Sequence, residues 1–153
     1  MNNISTLFFS IVFFLASICS AGQHTNKTND HSVSKPKKKL LFINSYHQGY
    51  QWSDNIEKAF IQTLGLKANP DGSFDSPLSS VQLKIFRMDT KLNQSETFKK
   101  QAALSAKTII DEWRPDIVVA CDDNASKYLI VPYFKNSSIP FIFCGLNWDA
   151  SIY

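Results

Sequence analysis

At 153 residues, with 44% hydrophobic and 19% charged side chains, the chain is long enough for one domain with a real core and too balanced to be disordered or fibrous. Its formal net charge of +3 is exceeded by one cluster alone, Lys35, Lys37, Lys38 and Lys39. The remainder is therefore near neutral, which argues against a nucleic-acid-binding face.

The first segment, Leu7-Phe8-Phe9-Ser10-Ile11-Val12-Phe13-Phe14-Leu15-Ala16, is an apolar core followed by the small residues Ser17, Ser20, Ala21 and Gly22. That is a secretory signal pattern, too short to span a bilayer, and it predicts residues 1–21 as a signal peptide with a periplasmic destination. No Lys or Arg precedes the apolar run, so the amino terminus itself supplies the positive end. Cys19 offers a second reading, a lipid anchor, but the bulky Ile18 stands where lipoprotein processing wants a small residue. Residues 22–38 read as a tether: 23–34 are rich in Asn, Thr, Ser, His and Lys without hydrophobic periodicity, and the lysine run closes it as a solvated segment.

Leu40-Leu41-Phe42-Ile43-Asn44 is a continuous apolar run, as in a strand buried on both faces. A helix follows the aromatic loop of residues 45–52, with Asp54 and Glu57 spaced for a capping box, Ile56, Ala59, Phe60, Thr63 and Leu64 at helical spacing, and Gly65 as the stop. Residues 67–80 contain Asn-Pro-Asp-Gly and Ser-Pro and read as a surface excursion. From Val81 to Met88 the pattern alternates, which suits an edge strand. Ser95 and Glu96 begin a long helix with Phe98, Ala102, Ser105, Ala106, Ile109 and Trp113 on one side, and Pro115 ends it. Ile117-Val118-Val119-Ala120-Cys121 is the third strand, Asn124 opens a helix running to Pro132, and Pro140-Phe141-Ile142-Phe143-Cys144 is the fourth strand. Alternation of strand and helix implies a parallel sheet with helices on both faces.

Parallel strands send their outlets to one rim, where open α/β sheets bind ligands. Every outlet here is polar or aromatic: Ser45, Tyr46, Tyr50 and Trp52 after the first strand, Asp89 after the second, Asp122, Asp123 and Asn124 after the third, and Asn147 and Trp148 after the fourth. Rings to stack on, carboxylates to pair with amines and amides to orient describe the lining of a site for a small polar ligand. Capping and turn formation explain the same Asp-Asp-Asn sequence without a ligand.

Nothing in the pattern asks for catalysis, a cofactor or a metal. Asp122 and Asp123 are adjacent and not paired across a bond, and there is no phosphate-binding Gly-rich loop and no nucleophile elbow. The histidines His24, His31 and His47 have no metal-ligand spacing, and no Cys-x-x-Cys occurs. Cys121 and Cys144 end equivalent strands, so they stand either as buried free thiols or as a bridge.

Taken together, Ser45-Tyr46-His47-Gln48-Gly49-Tyr50-Gln51-Trp52, Met88-Asp89-Thr90-Lys91, Pro115 to Ala120 with Asp122-Asp123-Asn124-Ala125, and Phe143 to Asp149 resemble the amino-terminal lobe of type I periplasmic substrate-binding proteins of ABC transporters. Relatives of that group also form the sensor region of hybrid histidine kinases. The resemblance, over residues 39–153, implies an α/β flavodoxin-like parallel sheet flanked by helices, of strand order 2-1-3-4, and a ligand held between two lobes. Two such lobes need about twice this length, so the expectation is a single incomplete lobe. It further implies delivery of a small polar or aromatic ligand to an ABC permease or, alternatively, sensing through a partner histidine kinase. Contact with a membrane would come only through such partners or a lipid anchor.

Overall fold

The computed structural model describes residues 35–147, 149 and 151. The signal segment, the tether of residues 23–34 and Trp148 lie outside them. Among the described residues no helix is long and apolar enough to cross a membrane.

The central strand is β1 (Lys38–Asn44), in which Leu41, Phe42 and Ile43 are wholly buried. It pairs in parallel with β4 (Val81–Arg87) on one side and β5 (Ile117–Cys121) on the other, and β5 pairs in parallel with β6 (Phe141–Cys144). Two short antiparallel strands, β2 (Lys67–Ala68) and β3 (Phe74–Asp75), complete a six-stranded sheet of order β2-β3-β4-β1-β5-β6. The excursion of residues 67–80 is thus a hairpin added to the sheet, and β4 is covered at the pair Phe74 and Leu83 and is not a bare edge. The hairpin is folded by its own turn, in which Ser73 N and Oγ both donate to Asp71 Oδ1 at 2.9 and 2.6 Å.

Alternate side chains of each strand serve opposite layers, which is why the apolar runs are unbroken. Leu40, Phe42, Val119 and Cys121 pack with Ile56, Phe60 and Leu64 of helix α1 (Gln51–Thr63), Phe42 meeting the Phe60 ring edge-on at 5.1 Å. Leu41, Ile43, Val118 and Ala120 pack on the other face against Ala103, Ala106 and Ile110 of α2 (Glu96–Trp113) and against Leu129 and Ile130. Burying each large side chain of this kind contributes about 1.5–3 kcal/mol. Ser105, expected on the buried side of α2, is exposed, and Ala103 and Ile110 join Ala102 and Ala106 in the core.

Local signals act at the helix ends with two exceptions. Ser95 Oγ accepts from Phe98 N at 3.3 Å and starts α2, which stops at Arg114 in a left-handed conformation (φ 50) before Pro115. Gly65 (φ 62) closes α1, with Leu66 N donating to Ile61 O. The capping box of Asp54 and Glu57 does not form. The cap residue is Tyr50, Asp54 Oδ2 accepts from Gly49 N, and Glu57 is buried facing Asn44 and Arg87. The third helical segment begins at α3 (Asp123–Ala125), continues as a π-helical turn (Ser126–Ile130) and ends in α4 (Val131–Tyr133), so Pro132 does not terminate it.

The lysine run is also more than a solvated tether. Lys38 and Lys39 are the first residues of β1, Lys38 Nζ bonds Asp116 at 2.7 Å, and Lys37 Nζ reaches Asp75 at 3.1 Å. Lys39 Nζ bonds the Trp113 carbonyl at 3.0 Å. The cluster therefore staples the start of the sheet to the hairpin and to the outlet of α2.

Candidate functional site

The carboxyl ends of the four parallel strands are joined by direct hydrogen bonds. Ser45 N and Oγ donate to the Cys121 carbonyl at 3.2 and 2.7 Å, and Ser45 Oγ accepts from Ala125 N at 2.8 Å. The Ser45 carbonyl accepts from Thr90 N and Oγ1 at 3.0 and 2.6 Å, and Thr90 Oγ1 accepts from Asn124 Nδ2 at 2.9 Å. Asn147 donates twice to Asp123, from its backbone N at 3.2 Å and from Nδ2 at 2.7 Å. Asp122 N donates to the Cys144 carbonyl at 2.8 Å. All four outlets thus belong to one network.

Within it, Tyr46 and Asp122 form the centre. Tyr46 N donates to Asn44 Oδ1 at 2.9 Å, which turns its nearly buried ring across the rim. Its hydroxyl donates to Asp122; burial first, and then this bond, push the phenol above its ordinary range. Asp122 is 4% exposed, and burial raises its carboxyl above the usual value, opposed by the Tyr46 bond and by the charge of Lys91. Asp122 also stands at φ 74 and ψ 166, a region that essentially only glycine occupies. A non-glycine residue held there costs about 1–3 kcal/mol, which the surrounding network must offset.

An aromatic group flanks the carboxylate. The Tyr46 ring lies 4.8 Å from Tyr50 and 6.2 Å from Trp52, and Lys91 Nζ sits over both tyrosines at 4.6 and 4.8 Å. Trp52 covers Gly145: a Cβ there would meet its ring at 2.3 Å, and the glycine has φ 68. Only glycine lets the outlet of β6 pass beneath the indole.

Beside this group lies a cavity of about 390 Å³. Of the expected residues, Tyr46, Asp122, Asp123 and Asn124 line it. Tyr50 and Trp52 support Tyr46 from behind, and Asn147 holds Asp123. Two expectations change. Ser45 is fully buried and ties β1 to β5 and α3, so it does not face a ligand. Asp89 takes a left-handed turn (φ 55) whose carbonyl receives Leu92 N and Asn93 N, and it lines a different depression with Phe86 and Phe98. Trp148 lies outside the described residues.

The cavity also carries Thr90 and Lys91, which the sequence reading placed in the second outlet without naming them as ligand contacts, and Gln94, Lys99 and Lys127, which it did not select. A positional signal existed for two of them. Lys99 and Lys127 lie in the first turns after Ser95 and Asp123, and the first turn after an outlet faces the rim. Three ammonium groups against two carboxylates give the lining both signs of charge. Asp123 accepts from Asn147, while the Asp122 carboxyl faces the Tyr46 hydroxyl and the charge of Lys91. No cluster among the described residues has the His, Cys, Asp or Glu content to hold a metal ion. A larger surface cavity of about 700 Å³ lies between Lys107, Asp111 and Tyr133, away from the strand outlets.

Compared with protein-family models, with curated proteins and with solved structures, the chain finds no match.

Replacing Ser45 with alanine is expected to lower stability by about 2 kcal/mol, because the buried Ala125 N–H loses its acceptor. Urea denaturation reads this directly. A loss below about 0.5 kcal/mol would show that the Ser45 hydroxyl does not help to hold the outlets together.

Proposed function

We propose that this domain is a ligand-binding lobe of an extracytoplasmic solute-binding protein of the ABC-transporter type, carrying a small polar ligand and performing no chemistry on it. The observation that carries the reading is Asp122: a nearly buried carboxylate held in a glycine-only conformation, hydrogen-bonded to Tyr46 and facing a cavity at the carboxyl end of a parallel sheet. Strain retained at such a position points toward function. The mixed charge of the lining suits a ligand with both a cationic and an anionic group, and the Tyr46 ring offers it an apolar face.

The expected result is that the purified chain is stabilised in thermal-shift assays by a member of a panel of amino acids, nucleosides and sugars. Asp122→Ala should weaken that ligand at least tenfold by calorimetry, about 1.4 kcal/mol. Equal affinity in wild type and Asp122→Ala would overturn the assignment of the rim.

A further inference from the structure

The two cysteines of the folded domain meet at this rim. Cys121 and Cys144 are register partners in the adjacent parallel strands β5 and β6, so their side chains leave the same face of the sheet. Both thiols are free; Cys121 is buried, Cys144 is half-buried, and both pack on the α1 side of the sheet.

Neighbouring strands lie about 4.8 Å apart, inside the roughly 4.4–6.8 Å that separates the Cα atoms of a bridged pair. The Cβ atoms of a bridge lie closer, at about 3.5–4.5 Å, whereas parallel partners point their side chains the same way. Joining the two sulfurs therefore pinches the ends of β5 and β6 together. A bond closed under such strain is readily reduced again.

We propose that Cys121 and Cys144 form a reversible dithiol modification site, oxidised to an internal disulfide by a small-molecule disulfide such as oxidised glutathione. The Cys144 thiolate attacks one sulfur of the oxidant, forming a mixed disulfide and releasing one glutathione thiolate, which takes up a proton. Cys121 then gives its proton to solvent and attacks the Cys144 sulfur, expelling the second glutathione. Two cysteine thiols are oxidised and one glutathione disulfide is reduced to two thiols. The order of attack follows from exposure: the Cys144 thiol is half-buried and can meet the oxidant, whereas the Cys121 thiol is wholly buried.

The bond would act on the rim. Cys121 precedes the strained Asp122 and its carbonyl receives Ser45, while Cys144 precedes Gly145 beneath the Trp52 ring and its carbonyl receives Asp122 N. This inference is independent of what the cavity binds.

The test uses the full chain carrying Cys19→Ser, treated with oxidised glutathione under native conditions and read by intact mass and peptide mapping. The expected product has lost two hydrogens, contains a linked pair of peptides bearing Cys121 and Cys144, and returns to the dithiol in excess reduced glutathione. Adding Cys121→Ser should trap one glutathionyl group at Cys144, and adding Cys144→Ser should leave Cys121 unmodified. A chain that keeps a glutathionyl adduct on Cys144 without closing, that does not react, or whose bond survives reduced glutathione would overturn the proposal.

Discussion

Glu57→Ala is expected to cost about 3 kcal/mol of folding stability, the lower end of the range for removing one partner of a buried ion pair. Glu57 is 4% exposed inside α1, accepts from Asn44 Nδ2 at 2.7 Å and pairs with the guanidinium of Arg87. It therefore ties α1 to β1 and β4 at once. Arg87 already has a buried Nε without a partner, and losing Glu57 strands its charge further. The Arg87 side chain keeps 29% exposure, so water relieves part of the penalty and the lower figure applies. Glu57→Gln, which can still accept from Asn44, should fall between wild type and alanine. Urea denaturation measures all three, with Glu112→Ala on the exposed face of α2 as a control expected within about 0.5 kcal/mol of wild type. A Glu57→Ala loss as small as the control's would mean that the pair does not join the layers.

The second large effect concerns Asp122, where glycine and alanine should part company. Both substitutions remove the carboxylate, its bond to Tyr46 and its acceptance of Asp123 N at 2.7 Å. Alanine still bears the strain of φ 74 and ψ 166, about 1–3 kcal/mol, whereas glycine does not. Glycine gives back about 0.4–1 kcal/mol through the greater freedom of its unfolded chain. Asp122→Gly is therefore expected to be about 1 kcal/mol more stable than Asp122→Ala, measured by paired thermal or urea unfolding. If alanine were the more stable variant, Asp122 would not be strained, and its conformation would lose its bearing on function.

Several features of the site were legible because they depend only on neighbours in sequence. The run from Leu40 to Ile43 is apolar at every position because β1 is covered on both faces, and such a run marks a central strand. Tyr46, Asp122, Asp123 and Asn124 could be placed on a shared rim because parallel strands send their outlets the same way. Ser95 announced α2 because its capping bond spans three residues. Other features were hidden because they depend on partners distant in the chain. Ser45 looks like a ligand contact until its hydroxyl is seen to lie between Cys121 and Ala125, 76 and 80 residues away. Glu57 has the spacing of a cap, yet a partner 30 residues on, Arg87, draws it into the core. Lys91 carries no local mark of the Tyr46 ring it covers, which belongs to the outlet of another strand.

By itself, then, the sequence determined the alternation of strand and helix, the layers each apolar run must bury, and the end of the sheet at which polar chemistry collects. Those follow from periodicity and from the direction of a parallel strand. Tertiary structure alone decided which of the gathered side chains face the cavity and which hold the outlets together. It also set the left-handed backbone of Asp122 and put the thiols of Cys121 and Cys144 side by side. The physical reason is that hydrogen-bond partners, burial and strain are properties of the assembled neighbourhood, and residues far apart in the chain supply most of it.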